Sequence, residues 1–529
     1  MSIDEYEVPK TTSGGLRILA VPSLSCQSEG ADYSNVLDTL HANFFATCRS
    51  LEDPDRSTIM EHDRGSMAFM TWETTGLLVQ YALSGFAIGA LDLFVHHRAP
   101  ALAPLLSILS WTCSLLVGGL SDACHRRRRP FLVLGWLLCG TASVVVLALD
   151  DTISTNQPNN STLSGIVGVA ALVATAGMTT VTTAIEAWVV QLAQRESFVE
   201  RGRLQSSAFA ARYMLTAVSV QAFGWVSSSS PPSITPKSQL QPWDGRTVQT
   251  GYVMVAVVCV LAIVAGLRMR DQPFEQPNRL SLPFWHLARQ SLFHLPLTWQ
   301  VTAFWFCHSL CWPLVETPQV ATIDTTSSTS YGVATGYHLC QALMVFGVGF
   351  AARQKSWRWT LALATGWLVV VTTVPELFSV WNYVLRSTDF DGIMVVCSGL
   401  AHGVPPLLRG FVAVEMAGRG TEGLTVAMLA ASATLSHPFH IAIRAAVATA
   451  FPNDQHSPES ILVLGGIPMA SLLLLVLLPA QKEHVCVLKQ FVQAGCGAGG
   501  IAFTVLTTFV CAANVVLNVQ TSIRLPNGR

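Results

Sequence analysis

Apolar runs long enough to cross a bilayer recur along this chain, separated by polar and often basic breaks, and that repetition limits its folds more than any other feature. A hydrocarbon core of roughly 30 Å takes about 20 residues of helix. Only helices or closed barrels satisfy their backbone groups there. Six such runs cover residues 69–95, 101–120, 131–149, 163–190, 207–225 and 252–267. A polar stretch, 268–296, follows with Arg268, Arg270, Arg279 and Arg289. Six more runs cover 298–315, 333–351, 359–380, 393–414, 424–448 and 461–478. A last run, 501–519, lies beyond Lys482 and Lys489 and reads as a thirteenth helix, with a re-entrant segment as the alternative its Gly-rich approach leaves open. The pattern predicts an all-α polytopic membrane protein, integral and multi-pass, of two six-helix bundles plus an extra C-terminal helix. Its divisions are a disordered cytosolic tail (1–65), a first bundle (66–268), a central loop (269–296), a second bundle (297–480) and a tail (481–529). The plasma membrane and an organelle membrane are both open.

Composition agrees with lipid as the solvent. Of 529 residues 51% are hydrophobic and only 12% charged, where a soluble domain carries about a quarter charged residues. The net charge of −1 excludes a nucleic-acid partner, which demands a basic face. The 13 cysteines lie scattered in apolar runs without metal-ligand spacing, so Cys307 and Cys311 read as packing residues, and neither a metal nor a cofactor is expected.

Lys and Arg in the short loops set the orientation. With the N-terminus inside, the inner loops hold Arg126 to Arg129, Arg195, Arg201, Arg203, the central loop, Arg353, Lys355, Arg358 and Arg419. The outer loops hold only Arg98, Lys237, Arg246 and Arg386, together with overlapping glycosylation sequons at Asn159 and Asn160. Epitope tags in the N-terminal tail or within 268–296 are therefore expected to be reached by antibody only after permeabilisation. Staining of intact cells at either place would overturn the topology. A tag after Arg529 that stays hidden would make 501–519 re-entrant.

The turn after the second run reads Gly118-Gly119-Leu120-Ser121-Asp122-Ala123-Cys124-His125, then Arg126 to Arg129 and Pro130. It resembles the Gly-x-x-x-Asp-(Arg/Lys)-x-Gly-Arg-(Arg/Lys) signature of the major facilitator superfamily, with His125 in the place of a Gly. Physically, Gly118 lets two helices approach closely, and Asp122 can accept hydrogen bonds from a neighbouring helix N-terminus or pair with arginines such as Arg126 and Arg127. The resemblance implies a latch on one conformation of a rocking cycle; a positive-inside anchor explains the arginines alone. Further segments resemble the folate-biopterin transporters of that superfamily: Glu73-x-x-Gly76-Leu77-Leu78-x-Gln80-Tyr81, then Arg127 to Trp136, Arg195-Glu196, Arg201-Gly202-Arg203-x-Gln205 with Arg212, and Gly420-x-Glu422-Gly423. Glu186 and Gln191 stand where that family tends to have Asp and Glu, and Ala433 and Thr434 lie where it has an Asn. Gly349 with Arg353, Lys355 and Arg358 faintly repeats the Gly118 turn, as a duplicated unit would.

Charges at helix centres cost at least roughly 2.5–3.5 kcal/mol on insertion scales, so those present usually face a cavity or a partner. Glu186 and Arg212 each lie about eight to ten residues from one inner turn, which at 1.5 Å per residue puts both roughly 12–15 Å deep. Arg212 either binds a substrate carboxylate, with Glu186 as resting partner or proton acceptor, or the two form a permanent ion pair. Glu73 reads as an interfacial residue or a site residue. Glu376, after Pro375, and Arg409 are the candidates of the second bundle. Trp299, Phe304, Trp305 and Phe306 read as an interfacial belt or a stacking surface, and His437 and His440 around Pro438 as packing or a proton relay.

These observations predict a secondary active transporter working by alternating access on a small-molecule substrate, with a proton as possible coupling ion and a monomer as the expected state. By resemblance the substrate is a folate- or pterin-like anion; nucleoside-like and amino-acid-derived solutes stay open. Outside transport, a membrane-embedded transferase or a transport-dead receptor would be the alternatives. No His-Glu-x-x-His, Gly-x-Ser-x-Gly or phosphate-cradling Gly loop is present to support an enzyme.

Overall fold

The computed structural model describes residues 71–98, 103–124, 128–155, 161–198, 200–228, 245–269, 296–312, 328–352, 355–380, 388–418, 420–451, 458–485 and 488. The N-terminal tail, residues 270–295 of the central loop, the sequons at Asn159 and Asn160, Arg126, Arg127 and the run 501–519 lie outside them. Six helices make the first half: α1 (Trp72–Arg98), α2 (Ala103–Ala123), α3 (Arg129–Thr155), α4 (Ser161–Ala193), α5 (Arg203–Ser228) and α6 (Gly245–Arg268). In the second half come α7 (Pro296–Cys311), α8 (Ser328–Ala351), α9 (Trp357–Val380), α10 (Thr388–His402), α11 (Val404–Met416), α12 (Glu422–Leu435), α13 (His437–Ala450), α14 (Pro458–Ala470) and a 3-10 turn (Ser471–Leu477).

Every apolar run within the described residues is helical, but not every one is a single helix. The tenth run is α10 and α11, which meet at Gly403 ahead of Pro405 and Pro406, and the eleventh is α12 and α13, which meet at Ser436 ahead of Pro438. Proline lacks the N–H that would continue the ladder and crowds the preceding turn, so both breaks follow from the sequence. Eight helical stretches among the described residues are long and apolar enough to cross a membrane. Outside these eight, α5 is diluted by Gln205, Ser206, Ser207, Arg212 and Thr216, α7 has 16 residues, α12 stops at Ser436, and the described apolar part of α2 is the short stretch Cys113–Ala123. Large apolar side chains such as Leu343, Phe346, Phe350, Trp359 and Leu363 are exposed on the outer faces, where acyl chains would cover them.

Two hydrophobic cores form, one mainly from α1, α3, α4 and α6 and the other mainly from α7, α8, α9 and α11. The halves meet along two seams, α2 with α12 and α5 with α8. Without water between helices, close backbone packing supplies most of the attraction, so small residues mark the seams. A Cβ on Gly118 would sit 2.5 Å from the Gly423 carbonyl oxygen, and one on Gly423 would sit 2.8 Å from that of Gly118. In the other seam Gly349 packs on Ser206 and Gly224 on Tyr331, while Thr335 donates to Gln221 at 3.0 Å. Gly118 and Gly349, paired by the faint repeat in sequence, thus stand at equivalent crossings.

The repeat extends to the inner helix ends. Arg129 at the start of α3 donates to the Leu267 carbonyl at the end of α6, and Arg358 at the start of α9 donates to those of Leu478 (2.6 Å) and Val476 (2.9 Å). Each arginine satisfies carbonyls that a helix end leaves unpaired. The turns entering α5 and α12 both hold a glycine with positive φ, Gly202 at 106° and Gly420 at 91°, a conformation that penalises any Cβ.

Candidate functional site

Asp122 and Arg128 lie where α2 turns into α3, and both are almost wholly buried. Asp122 accepts hydrogen bonds from the backbone amides of Gly423 (3.0 Å) and Leu424 (2.7 Å), the first turn of α12 in the opposite half. Unpaired amides at a helix N-terminus carry partial positive charge, so a carboxylate there is favourable. Arg128 Nη2 is 3.0 Å from Glu422 Oε2 and 3.5 Å from Asp122 Oδ1, and Nη1 donates to the Ala187 carbonyl. Glu422 Oε1 also accepts from the Gly420 amide at 3.0 Å. One guanidinium therefore bridges two acids from the two halves at the Gly118–Gly423 crossing.

A second inner contact joins the α4–α5 turn to α11 and the chain beyond the last span. Arg201 pairs with Glu415 at 3.0 Å, Gln194 donates to the carbonyls of Val414 and Ala417, and Lys482 Nζ donates to those of Arg201 (2.6 Å) and Phe198 (3.3 Å). Glu196 steadies the turn by accepting from the amides of Gly202 (2.8 Å) and Leu204 (3.0 Å). Burial pushes its carboxyl above the ordinary value, against the pull of those amides and of Lys482. Both clusters sit at the end that the basic loops assign to the cytosol.

Deeper, between the halves, lies a cavity of about 20 Å³, room for about one water, lined among others by Tyr81, Glu186, Gln205, Phe209, Arg409 and Gly410. Arg212 Nη1 meets Glu186 Oε1 at 2.9 Å. Its guanidinium lies 4.5 Å from the Tyr81 ring centre and 5.4 Å from that of Phe209, within cation–π reach of both. Gly85 lets α1 touch the α5 backbone at this height, where Thr216 donates to the Gly85 carbonyl at 2.9 Å. Arg409 enters from α11 within electrostatic reach of Glu186, Tyr213 and Arg212. Gln205 Nε2 donates to the Gly410 carbonyl at 2.7 Å. Tyr81 Oη, Gln205 Oε1 and Arg212 Nε and Nη2 are buried without a hydrogen-bond partner among the described residues. Such atoms are rare in native interiors and call for a guest or a water.

Of the residues singled out in the sequence, Glu186 and Arg409 line this cavity and Arg212 reaches it only through its ion pair with Glu186, while Gly118 and Asp122 stand together at the seam of α2 with α12. Glu73 lies in the first turn of α1 near Arg195, and Glu376 on α9 does not line the cavity. His437 and His440 have no described side chains. Sequence reasoning did not single out Arg128, Glu415 or Lys482. Glu415 follows the tenth apolar run immediately and reads there as a mere boundary.

No family model and no curated protein matches the chain. Solved structures do. The Escherichia coli fucose:proton symporter FucP overlays with a TM-score of 0.53 at 12% identity, over 76% of this chain and 97% of that one. A bacterial homologue of the iron transporter ferroportin, in an outward-facing state, gives 0.52 at 12% identity over 77% and 99%. A second FucP structure, titled as a major facilitator superfamily transporter in the outward conformation, gives 0.52. At such identity the likeness establishes the architecture. The chain has the major facilitator fold and is an integral, multi-pass membrane protein.

Proposed function

We propose that this chain, built on the major facilitator fold, is a secondary active transporter that moves a small organic anion of folate or pterin type by alternating access. The observation that carries the proposal is a cavity shared by the two halves, lined by Glu186 from one, with Arg212 paired to it, and by Arg409 from the other. A guest held there touches both halves at once, as rocking about a central site requires. Two guanidinium groups match a carboxylate with planar, directional donors. The pterin identity rests on the sequence resemblance and on this match of charge, and a guest of that size enters only as the halves part and the cavity of about 20 Å³ widens.

In this reading Asp122, Arg128 and Glu422 latch the inner ends, with Arg201 and Glu415 as a second clasp. A gradient of the guest or of a counter-solute supplies direction.

The test is an uptake screen in proteoliposomes over pteridines, nucleosides and amino acids, each assayed with vesicles preloaded with the same unlabelled solute and with vesicles that hold none, and with protein-free liposomes as the reference. Saturable uptake of pterin-6-carboxylate, competed by other pterin carboxylates and not by adenosine or leucine, is the expected result. Preference for nucleosides or amino acids would move the substrate assignment. No flux of any solute would return the protein to the receptor or enzyme reading.

A further inference from the structure

The charges around the cavity do not balance. Glu186 is committed to Arg212 at 2.9 Å, whereas Arg409 has neither a hydrogen bond nor an ion pair among the described residues. With Arg212 and Arg409 cationic and Glu186 anionic, the site carries one net positive charge. The buried atoms without partners beside it include the donors Nε and Nη2 of Arg212 and the Tyr81 hydroxyl. Glu186, Arg212 and Tyr213 are the charged or titratable groups whose fields reach Arg409.

From this imbalance we infer that the protein is an obligatory exchanger of monoanions, in which the guest is what allows the two halves to close. The inference rests on the transport reading above and adds its mode. Each reorientation passes through a form in which the halves meet around these groups, away from bulk water. Closing on the site alone encloses an uncompensated cation, and the interior solvates that state poorly. Closing on a monoanion neutralises the site and occupies the free donors. A loaded carrier therefore reorients readily in either direction, and an unloaded one lags. Since Arg409 belongs to one half and Glu186 and Arg212 to the other, the imbalance is felt when the halves approach and eases when they part.

Counterflow from proteoliposomes holding the full chain tests this. Vesicles are loaded with labelled pterin-6-carboxylate, or with whichever monoanion the uptake screen selects, and diluted into buffer with or without the same unlabelled anion. Efflux at least about tenfold faster with the anion outside is expected, a ratio corresponding to a modest difference in barrier between loaded and unloaded carrier. Because Arg409 also faces the guest, the absolute rate is read as well as the ratio: Arg409→Gln removes the unpaired cation and should raise efflux into anion-free buffer above the wild-type rate, a rise that weakened binding alone would not produce, whereas Arg409→Lys keeps the charge and should keep the wild-type ratio. Equal efflux into both media for the wild-type protein would overturn the exchange proposal while leaving transport intact, and that arm requires no variant to fold. Efflux into anion-free buffer that stays at or below the wild-type rate in Arg409→Gln would overturn the role given to the charge. If no monoanion moves at all, the transport reading falls and this inference falls with it.

Discussion

Arg212→Gln and Glu186→Gln, made singly, are expected to abolish uptake and to lower the amount of folded protein, while the double variant reaches the membrane in nearly normal amount and still transports nothing. Each single change leaves one largely buried charge without its partner at 2.9 Å, a loss that costs up to about 3–5 kcal/mol where burial is complete and less here, where the side chains keep 12% and 20% exposure. Removing both charges relieves that penalty and also removes the groups that would hold an anion. Surface expression and uptake measured for all three variants decide the matter. A double variant with normal uptake would reduce the pair to a structural tie. Arg212→Lys provides a finer reading: it keeps a charge but loses the planar fork and the fit between Tyr81 and Phe209, so apparent affinity should fall while the protein still reaches the membrane.

Asp122→Asn is expected to lower the maximal rate of uptake by about tenfold or more, with smaller changes in surface abundance and in apparent affinity. The carboxylate now accepts two backbone amides from the opposite half, and hydrogen bonds to charged groups contribute about 1.5–3 kcal/mol each. An Asn offers one oxygen and presents an NH2 group to the second amide, so the inner-closed form loses stability relative to its alternatives. A shift of that size redistributes the two states roughly tenfold to a hundredfold. The cavity and its arginines stay in place, which is why affinity should change less than rate. An unchanged maximal rate would leave the Asp122 turn as a topological anchor only.

The sequence disclosed depth far better than direction. Apolar run lengths placed the helices, and counting from a shared turn placed Glu186 and Arg212 at one height, because a helix rises by a fixed amount per residue. Which side of a helix faces which neighbour is a different question. Among Arg126 to Arg129, position along the chain does not tell which guanidinium turns inward. Arg128 does, and it meets Glu422 across 294 residues of sequence. Arg409 likewise could be flagged as a charge at depth, but its approach to Glu186 depends on the packing of α11 against α4 and α5. Glu73 and Glu376 illustrate the converse, with charges in apolar surroundings that the helix packing leaves away from the cavity. The breaks at Gly403 and Ser436 were readable from the prolines that follow, although the run lengths alone favoured unbroken helices.

The grip of Asp122 on α12 falls on main-chain amides, and that has a bearing on how the two halves can diverge over time. A side chain that recognises another side chain ties two positions together, so that a change in one invites a compensating change in the other. Backbone amides offer no such counterpart, since nearly every residue type presents the same N–H. Leu424 could become many other residues without disturbing the bond it donates, whereas Gly423 is held by the room available to it and not by chemistry. The contact is therefore invisible to any search for paired changes between related sequences, and a lost Asp122 has no single complementary replacement. Genetic suppressors of its loss would act nearby only through Arg128 and Glu422, and otherwise at a distance, by weakening closure at the outer end until the two states again stand in balance.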